Sequence, residues 1–72
     1  MQPMLISFGQ RIRQLRMKKG LTQEGLANEA GLDRSYMGGV ERGERNVSLN
    51  NIGKIAKALE VEPFELLRSS KK

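Results

Sequence analysis

Neither cysteine nor histidine occurs anywhere in the 72 residues. Without them there is no disulfide, no thiolate nucleophile, no imidazole base and no set of the usual zinc ligands, so most enzyme chemistry has nothing to rest on. A glycine-rich phosphate loop and a carboxylate pair are missing as well, and no catalytic residue, metal or other cofactor is expected. No segment approaches the roughly 20 apolar residues of a membrane span. The opening stretch, Met1–Ile6, lacks the basic region, apolar run and small-residue cleavage site of a signal peptide. The expectation is a soluble cytoplasmic protein that is not an enzyme and has no membrane partner. Repeats, linkers and low-complexity segments are absent too. A chain this short makes one domain with a core typically worth roughly 3–5 kcal/mol, and dimerisation often adds to that. With no second domain, a small-molecule effector is not expected.

What the chain does have is positive charge in particular places. Thirteen Lys and Arg against eight Asp and Glu give +5. Arg11, Arg13, Arg16, Lys18 and Lys19 crowd the first part of the chain with no acid before Glu24, and Arg34, Arg42 and Arg45 cluster further on. The acids Glu60, Glu62 and Glu65 gather near the other end. Such polarisation suits one basic face turned to a polyanion. Lys18, Lys19, Lys71 and Lys72 serve solubility equally well.

Apolar periodicity gives five helices and no strand. The first is expected from about Ser7 to Lys19, with Phe8, Ile12 and Leu15 inward and Gly20 as its stop. The second spans Gln23 to Ala30, the third Arg34 to about Arg42 with Gly43 beyond it. The fourth follows Ser48 as N-cap and lines Ile52, Ile55, Ala56 and Leu59 along one face. The fifth begins at Pro63, whose fixed φ and missing amide suit a first helical position, and carries Phe64 and Leu67 toward the core or a partner. The boundaries expected are a flexible tail over 1–6, a folded domain over 7–68 and a frayed tail over 69–72.

Helices two and three carry the most specific signal, a helix-turn-helix over 23–42. Leu26 and Ala30 share one helical face by four-residue spacing, and Met37 and Val40 share another by three-residue spacing. Ala27 sits where two helix backbones cross steeply, and nothing larger than a methyl group is tolerated there. Gly31 suits the left-handed residue that ends the first helix. Thr22 and Asp33 precede the two helices as N-caps, and an acid at that end also suits the helix dipole.

These residues resemble the Cro/repressor-type helix-turn-helix regulators, the xenobiotic-response-element family. The resemblance is carried by Ile12, Leu15 and Arg16, by Gly20-Leu21-Thr22-Gln23, Leu26-Ala27 and the stretch Gly31 to Val40, then by Glu41-Arg42-Gly43 and Ile55-Ala56-Lys57-Ala58-Leu59. Within that family Leu32-Asp33-Arg34-Ser35-Tyr36 and Glu41-Arg42-Gly43-Glu44-Arg45-Asn46 look most like the controller proteins of restriction–modification systems. The resemblance implies an all-α, compact five-helix, lambda-repressor-like domain. It also implies transcription regulation through double-stranded DNA, a second copy of the chain as partner, and RNA polymerase among further partners.

If helix three lies in the major groove, Arg34, Ser35, Gly38, Gly39 and Arg42 face base edges or the backbone beside them. Arg34 is the expected principal reader, because its planar fork can donate two hydrogen bonds to guanine, worth roughly 1–3 kcal/mol of discrimination. Ser35 can bond a base edge or a phosphate. Tyr36 has two readings, a contact with a thymine methyl or backbone oxygen and a ring packed at the edge of the core. Gly38 and Gly39 each cost about 1 kcal/mol relative to alanine in an exposed helix interior. Their expected return is close approach of bare backbone to the groove. Resemblance assigns phosphate contacts to Gln23, Arg42, Asn46, Ser48 and Asn51, gives Gln23 the added task of bracing the start of the recognition helix, and lets Arg45 reach bases. It also implies a partly buried ion pair between Arg16 and Glu41. Val61, Phe64 and Leu67, with Leu49 and Ile52, supply more apolar surface than so small a core needs and are the expected dimer interface. The same fold serves as a protein-interaction module, an antitoxin or adaptor, and that is the alternative function.

Overall fold

The computed structural model describes residues 3–68, and within them the chain forms five helices: α1 (Pro3–Lys18), α2 (Gln23–Ala30), α3 (Arg34–Glu41), α4 (Leu49–Leu59) and α5 (Pro63–Leu67). No strand occurs among the described residues. The frayed tail expected over 69–72 lies outside them, as do Met1 and Gln2. α1 packs on α3 and α5, α2 on α3 and α4, and α4 on α5. The fully buried side chains Ile12, Leu26, Met37, Val40, Ile55 and Leu66 bring all five helices to one core. Ala27 is buried at the α2 crossing, as its spacing requires.

One expectation is corrected. α1 starts at Pro3 rather than near Ser7, so residues 3–6 belong to the helix and not to a tail. Pro3 is pre-set for a first turn, and the added turn has a surface to cover, because Ile6 lies over Gly43 beyond the end of α3. α5 gives Leu66 to the core, and Phe64 and Leu67, expected toward the core or a partner, point to solvent, 59% and 60% exposed. Three-residue spacing puts Phe64 and Leu67 on one face of the helix, and Leu66, two positions from Phe64, lies on the opposite one. Arg11 fixes that phase: its Nε donates to the Glu65 carbonyl at 3.0 Å and its Nη2 to Glu65 Oε1 at 3.2 Å.

The helix ends close alike. After α2, Gly31 adopts φ 71°, and Leu32 N donates to Ala27 O at 2.8 Å. After α4 the left-handed position falls to Glu60, φ 61°, whose carboxylate accepts from Lys19 Nζ at 2.7 Å. That hydrogen bond raises the pKa of Lys19 and lowers that of Glu60. The pair lies at the surface, with Glu60 largely exposed, so it adds little.

Backbone approach, more than side-chain volume, sets the distance between α1 and α3. A Cβ at Gly9 would meet the carbonyl oxygen of Val40 and stand 2.5 Å from that of Glu41, and a Cβ at Gly43 would stand 2.8 Å from Ile6 Cα. Main-chain atoms cannot swing aside as a flexible side chain does. Gly53, in α4, has nothing within 4 Å of the same position. Gly9→Ala is therefore expected to destabilise the domain by about 1–3 kcal/mol through overpacking, in spite of alanine's better helix propensity. Gly53→Ala should stabilise it by about 0.5–1 kcal/mol. Denaturant midpoints at constant m-value read both signs.

Candidate nucleic-acid interface

α2 and α3 are eight-residue helices held at both entrances by the caps read from sequence. Thr22 Oγ1 accepts from Gly25 N at 2.9 Å, and Asp33 Oδ2 accepts from Ser35 N at 2.9 Å and Tyr36 N at 3.3 Å. Helices this short are marginal alone and depend on tertiary contacts for their direction. For α3 the main tether is Glu41, whose side chain is only 3% exposed. Arg16 reaches it from α1 with two parallel hydrogen bonds, Nε to Oε2 at 2.7 Å and Nη2 to Oε1 at 3.1 Å, and its Nη1 donates to Leu21 O at 2.9 Å. Gln23 Nε2 adds a third donor to the carboxylate at 3.1 Å. The expected ion pair is thus present. Among the described residues no buried side-chain nitrogen or oxygen lacks a partner.

With its far end tethered, α3 turns its N-terminal end outward. Arg34 and Ser35 are exposed, as are Arg42 and Arg45 just past the helix. Two of these arginines have carboxylate neighbours that sequence reasoning missed: Arg34 Nη1 lies 3.4 Å from Glu24 Oε1, and Arg42 Nε 3.0 Å from Glu44 Oε1. Both pairs are solvent-exposed and worth little, so a phosphate or base edge can displace either acid. Arg34 and Glu24 stand ten residues apart on different helices, and only the hairpin angle brings them together.

Gly38 and Gly39 overturn an expectation. Both are buried, and neither offers bare backbone to a groove. The space a Cβ would take at Gly38 is occupied by Gln23 Oε1 and Arg42 Nη1, each 3.2 Å away, and at Gly39 by Arg45, whose Cγ is 2.7 Å away. The missing side chains admit protein, not ligand. Gln23 likewise braces the end of α3, through its hydrogen bond to Glu41, rather than its start.

Tyr36 follows the second of its two readings. Its ring is half-buried against the core, and its hydroxyl donates to the Asn46 carbonyl at 3.3 Å and accepts from Asn51 Nδ2 at 3.1 Å. Ser48 Oγ accepts from Asn51 N at 3.1 Å as the α4 N-cap. Asn46, Ser48 and Asn51 therefore line the loop beside α3, with Asn51 and Ser48 already engaged in fixing it. Among the proposed interface residues Leu49, Phe64 and Leu67 are exposed, while Ile52 and Val61 are partly buried against the core. Of these, Ile52 and Leu67 line a shallow apolar groove with Met4, which is 74% exposed, Leu5, Phe8 and Val47. No three His, Cys, Asp or Glu among the described residues are grouped to hold a metal ion, and no described helix is long and apolar enough to cross a membrane.

Residues 12–66 match the helix-turn-helix family. The control protein C.BamHI of Bacillus amyloliquefaciens is 56% identical over 61 residues, covering 83% of this chain and 75% of that protein. The crystal structure of the restriction–modification controller protein C.AhdI from Aeromonas hydrophila superposes with a TM-score of 0.85 at 68% identity, over 86% of this chain and 94% of that one. The controller protein C.Esp1396I, solved as a tetramer in complex with its natural 35 base-pair operator, superposes with a TM-score of 0.84 at 38% identity, over 93% of this chain and 92% of that one.

The tether has a direct test. Removing one member of a buried pair strands the other's charge, so Glu41→Ala and Arg16→Ala should each cost about 3–5 kcal/mol. The double variant should cost clearly less than their sum, because no charge is left unpaired. Thermal unfolding of the three variants reads this coupling.

Proposed function

The chain belongs to the helix-turn-helix family, and we propose that it is a sequence-specific regulator of transcription that binds double-stranded DNA as a homodimer, in the manner of the restriction–modification controllers. The observation that carries this reading is the outward-facing N-terminal end of α3, where Arg34 and Ser35 stand exposed on a helix whose other end is anchored through Glu41. Seated in a major groove, that end brings the Arg34 fork to guanine O6 and N7, with Ser35 beside it. Arg45 reaches bases from the following loop. Gln23, Arg42, Asn46, Ser48 and Asn51 contact phosphates on the two flanks, and each phosphate neutralised adds about −0.9 to the log-log salt slope.

The dimer uses the exposed Leu49, Phe64 and Leu67 with the partly buried Ile52 and Val61, and Met4 beside Ile52 and Leu67. A two-fold axis there requires a near-palindromic site whose half-sites lie about one helical turn, roughly 34 Å, apart. The relatives' names as control proteins support the controller reading, and RNA polymerase is the further partner such a role brings. A protein-interaction module on the same fold is disfavoured by the exposed arginines around α3.

Selection of bound sequences from random duplex DNA should return near-palindromic sites. Recovery of no preferred sequence would overturn the reading. Against the selected duplex, Arg34→Ala should lose discrimination at one position of each half-site, by about 5–150-fold, and a base-variant binding assay measures it. Phe64→Lys should give monomers in analytical ultracentrifugation, with wild-type protein sedimenting as a dimer.

A further inference from the structure

Arg34 and Arg42 lie beside carboxylates, but Arg45 makes no ion pair among the described residues. Shape holds it instead. A Cβ on Gly39 would stand 2.7 Å from Arg45 Cγ, 3.4 Å from Cδ and 3.6 Å from Nε, so the stem of the arginine crosses α3 where residue 39 has no side chain. The guanidinium carbon then sits 5.4 Å from the centroid of the Tyr36 ring, within range of an attractive cation–π contact. Tyr36 and Gly39 are three residues apart and share a helical face. Together they form a trough with a bare floor at one end and an aromatic wall at the other.

The wall is fixed independently of the arginine. Asn51 on α4 donates to the Tyr36 hydroxyl, and the hydroxyl donates to the Asn46 carbonyl. The loop is pinned at its other side by Glu44 N, which donates to Gly39 O at 2.9 Å. Arg45 thus leaves a short loop, closed onto α3 before it and onto Tyr36 after it, and drops into the trough between the two closures.

We propose that Gly39 is a positioning residue for DNA recognition, left without a side chain so that Arg45 lies preset along α3 against Tyr36. The proposal rests on Arg45 contacting DNA, as assigned above, and adds how that contact is prepared. A long arginine free in solvent must be ordered when it binds, whereas one already lying in a trough loses less freedom. Glycine in mid-helix is otherwise a poor choice, and the groove-approach explanation fails because Gly39 is covered.

A methyl group tests this with little effect on folding, since Gly39→Ala raises helix propensity and the atoms it meets belong to a flexible, exposed side chain. Side-chain NMR of the free protein should show the Arg45 δ-methylene and Nε–H resonances displaced by the Tyr36 ring, and Gly39→Ala should return them toward random-coil positions. Affinity for the duplex selected from the random pool should fall by about threefold to tenfold, while in an Arg45→Ala background the same change should alter it by less than about twofold. Unmoved Arg45 resonances would overturn the positioning role. So would equal affinity losses in both backgrounds, which would mean that position 39 acts on DNA without Arg45. If Arg45→Ala alone binds the duplex as the wild type does, the assignment of Arg45 to DNA falls and takes this role with it. Specific binding by that variant would still leave the DNA-binding reading of the chain intact.

Discussion

The Arg16–Glu41 pair is the constraint on which the geometry of the DNA-facing side depends. α3 has eight residues, too few to hold a direction unaided, and its buried charged tether among the described residues is a carboxylate in its last turn. That is the electrostatically wrong end for an acid, because the carbonyl dipoles already make it negative. The cost is offset by three donors aimed at one carboxylate, two from Arg16 and one from Gln23. Glu41 therefore acts as a junction where α1, α2 and α3 meet. The pair reaches its bonding distance only because Gly9 lets α1 settle onto the carbonyls of Val40 and Glu41. A side chain there would separate the helices and stretch the charge pair with them.

Once the C-terminal end of α3 is anchored, the other groups around the helix divide into two kinds. Arg34 and Arg42 are exposed and lightly held by acids that a better partner can replace. Tyr36, Asn46, Ser48 and Asn51 form a rigid strip that ties the loop after α3 to the start of α4. Mobile charge on a fixed frame is what a recognition surface requires: the frame sets register, and the side chains finish the fit. The glycines of α3 serve this arrangement from within, since Gly38 admits Gln23 and Arg42, and Gly39 admits Arg45.

Local features were legible in the sequence because their causes are local. Thr22, Asp33 and Ser48 cap the helices they precede, Gly31 ends α2, and the apolar spacings in α2, α3 and α4 pick out the buried residues. Features that depend on two segments meeting were not. Gly9 and Gly43 look like ordinary glycines until α1 is laid against α3, and the Glu24 partner of Arg34 appears only once the hairpin angle exists. At Gly38 and Gly39 a glycine pair in a helix announces a close approach without saying by what. Leu66 as the core residue of α5 is not legible either, since five residues are too few for periodicity to fix which face is inward.

The acids on this surface also set how its charge works. A net +5 draws the chain toward any polyanion, but at close range Arg34 and Arg42 each have a carboxylate beside them, Glu24 and Glu44. Each carboxylate stands near the same anion and opposes it. A generic phosphate run therefore gains less from these two arginines than their charge suggests. A site that offers Arg34 a bidentate base edge recovers the difference through geometry that a lone phosphate does not supply. Arg45, held by shape rather than by an acid, bears no such opposing charge. The surface thus combines two arginines that have acids beside them with one that is held by shape.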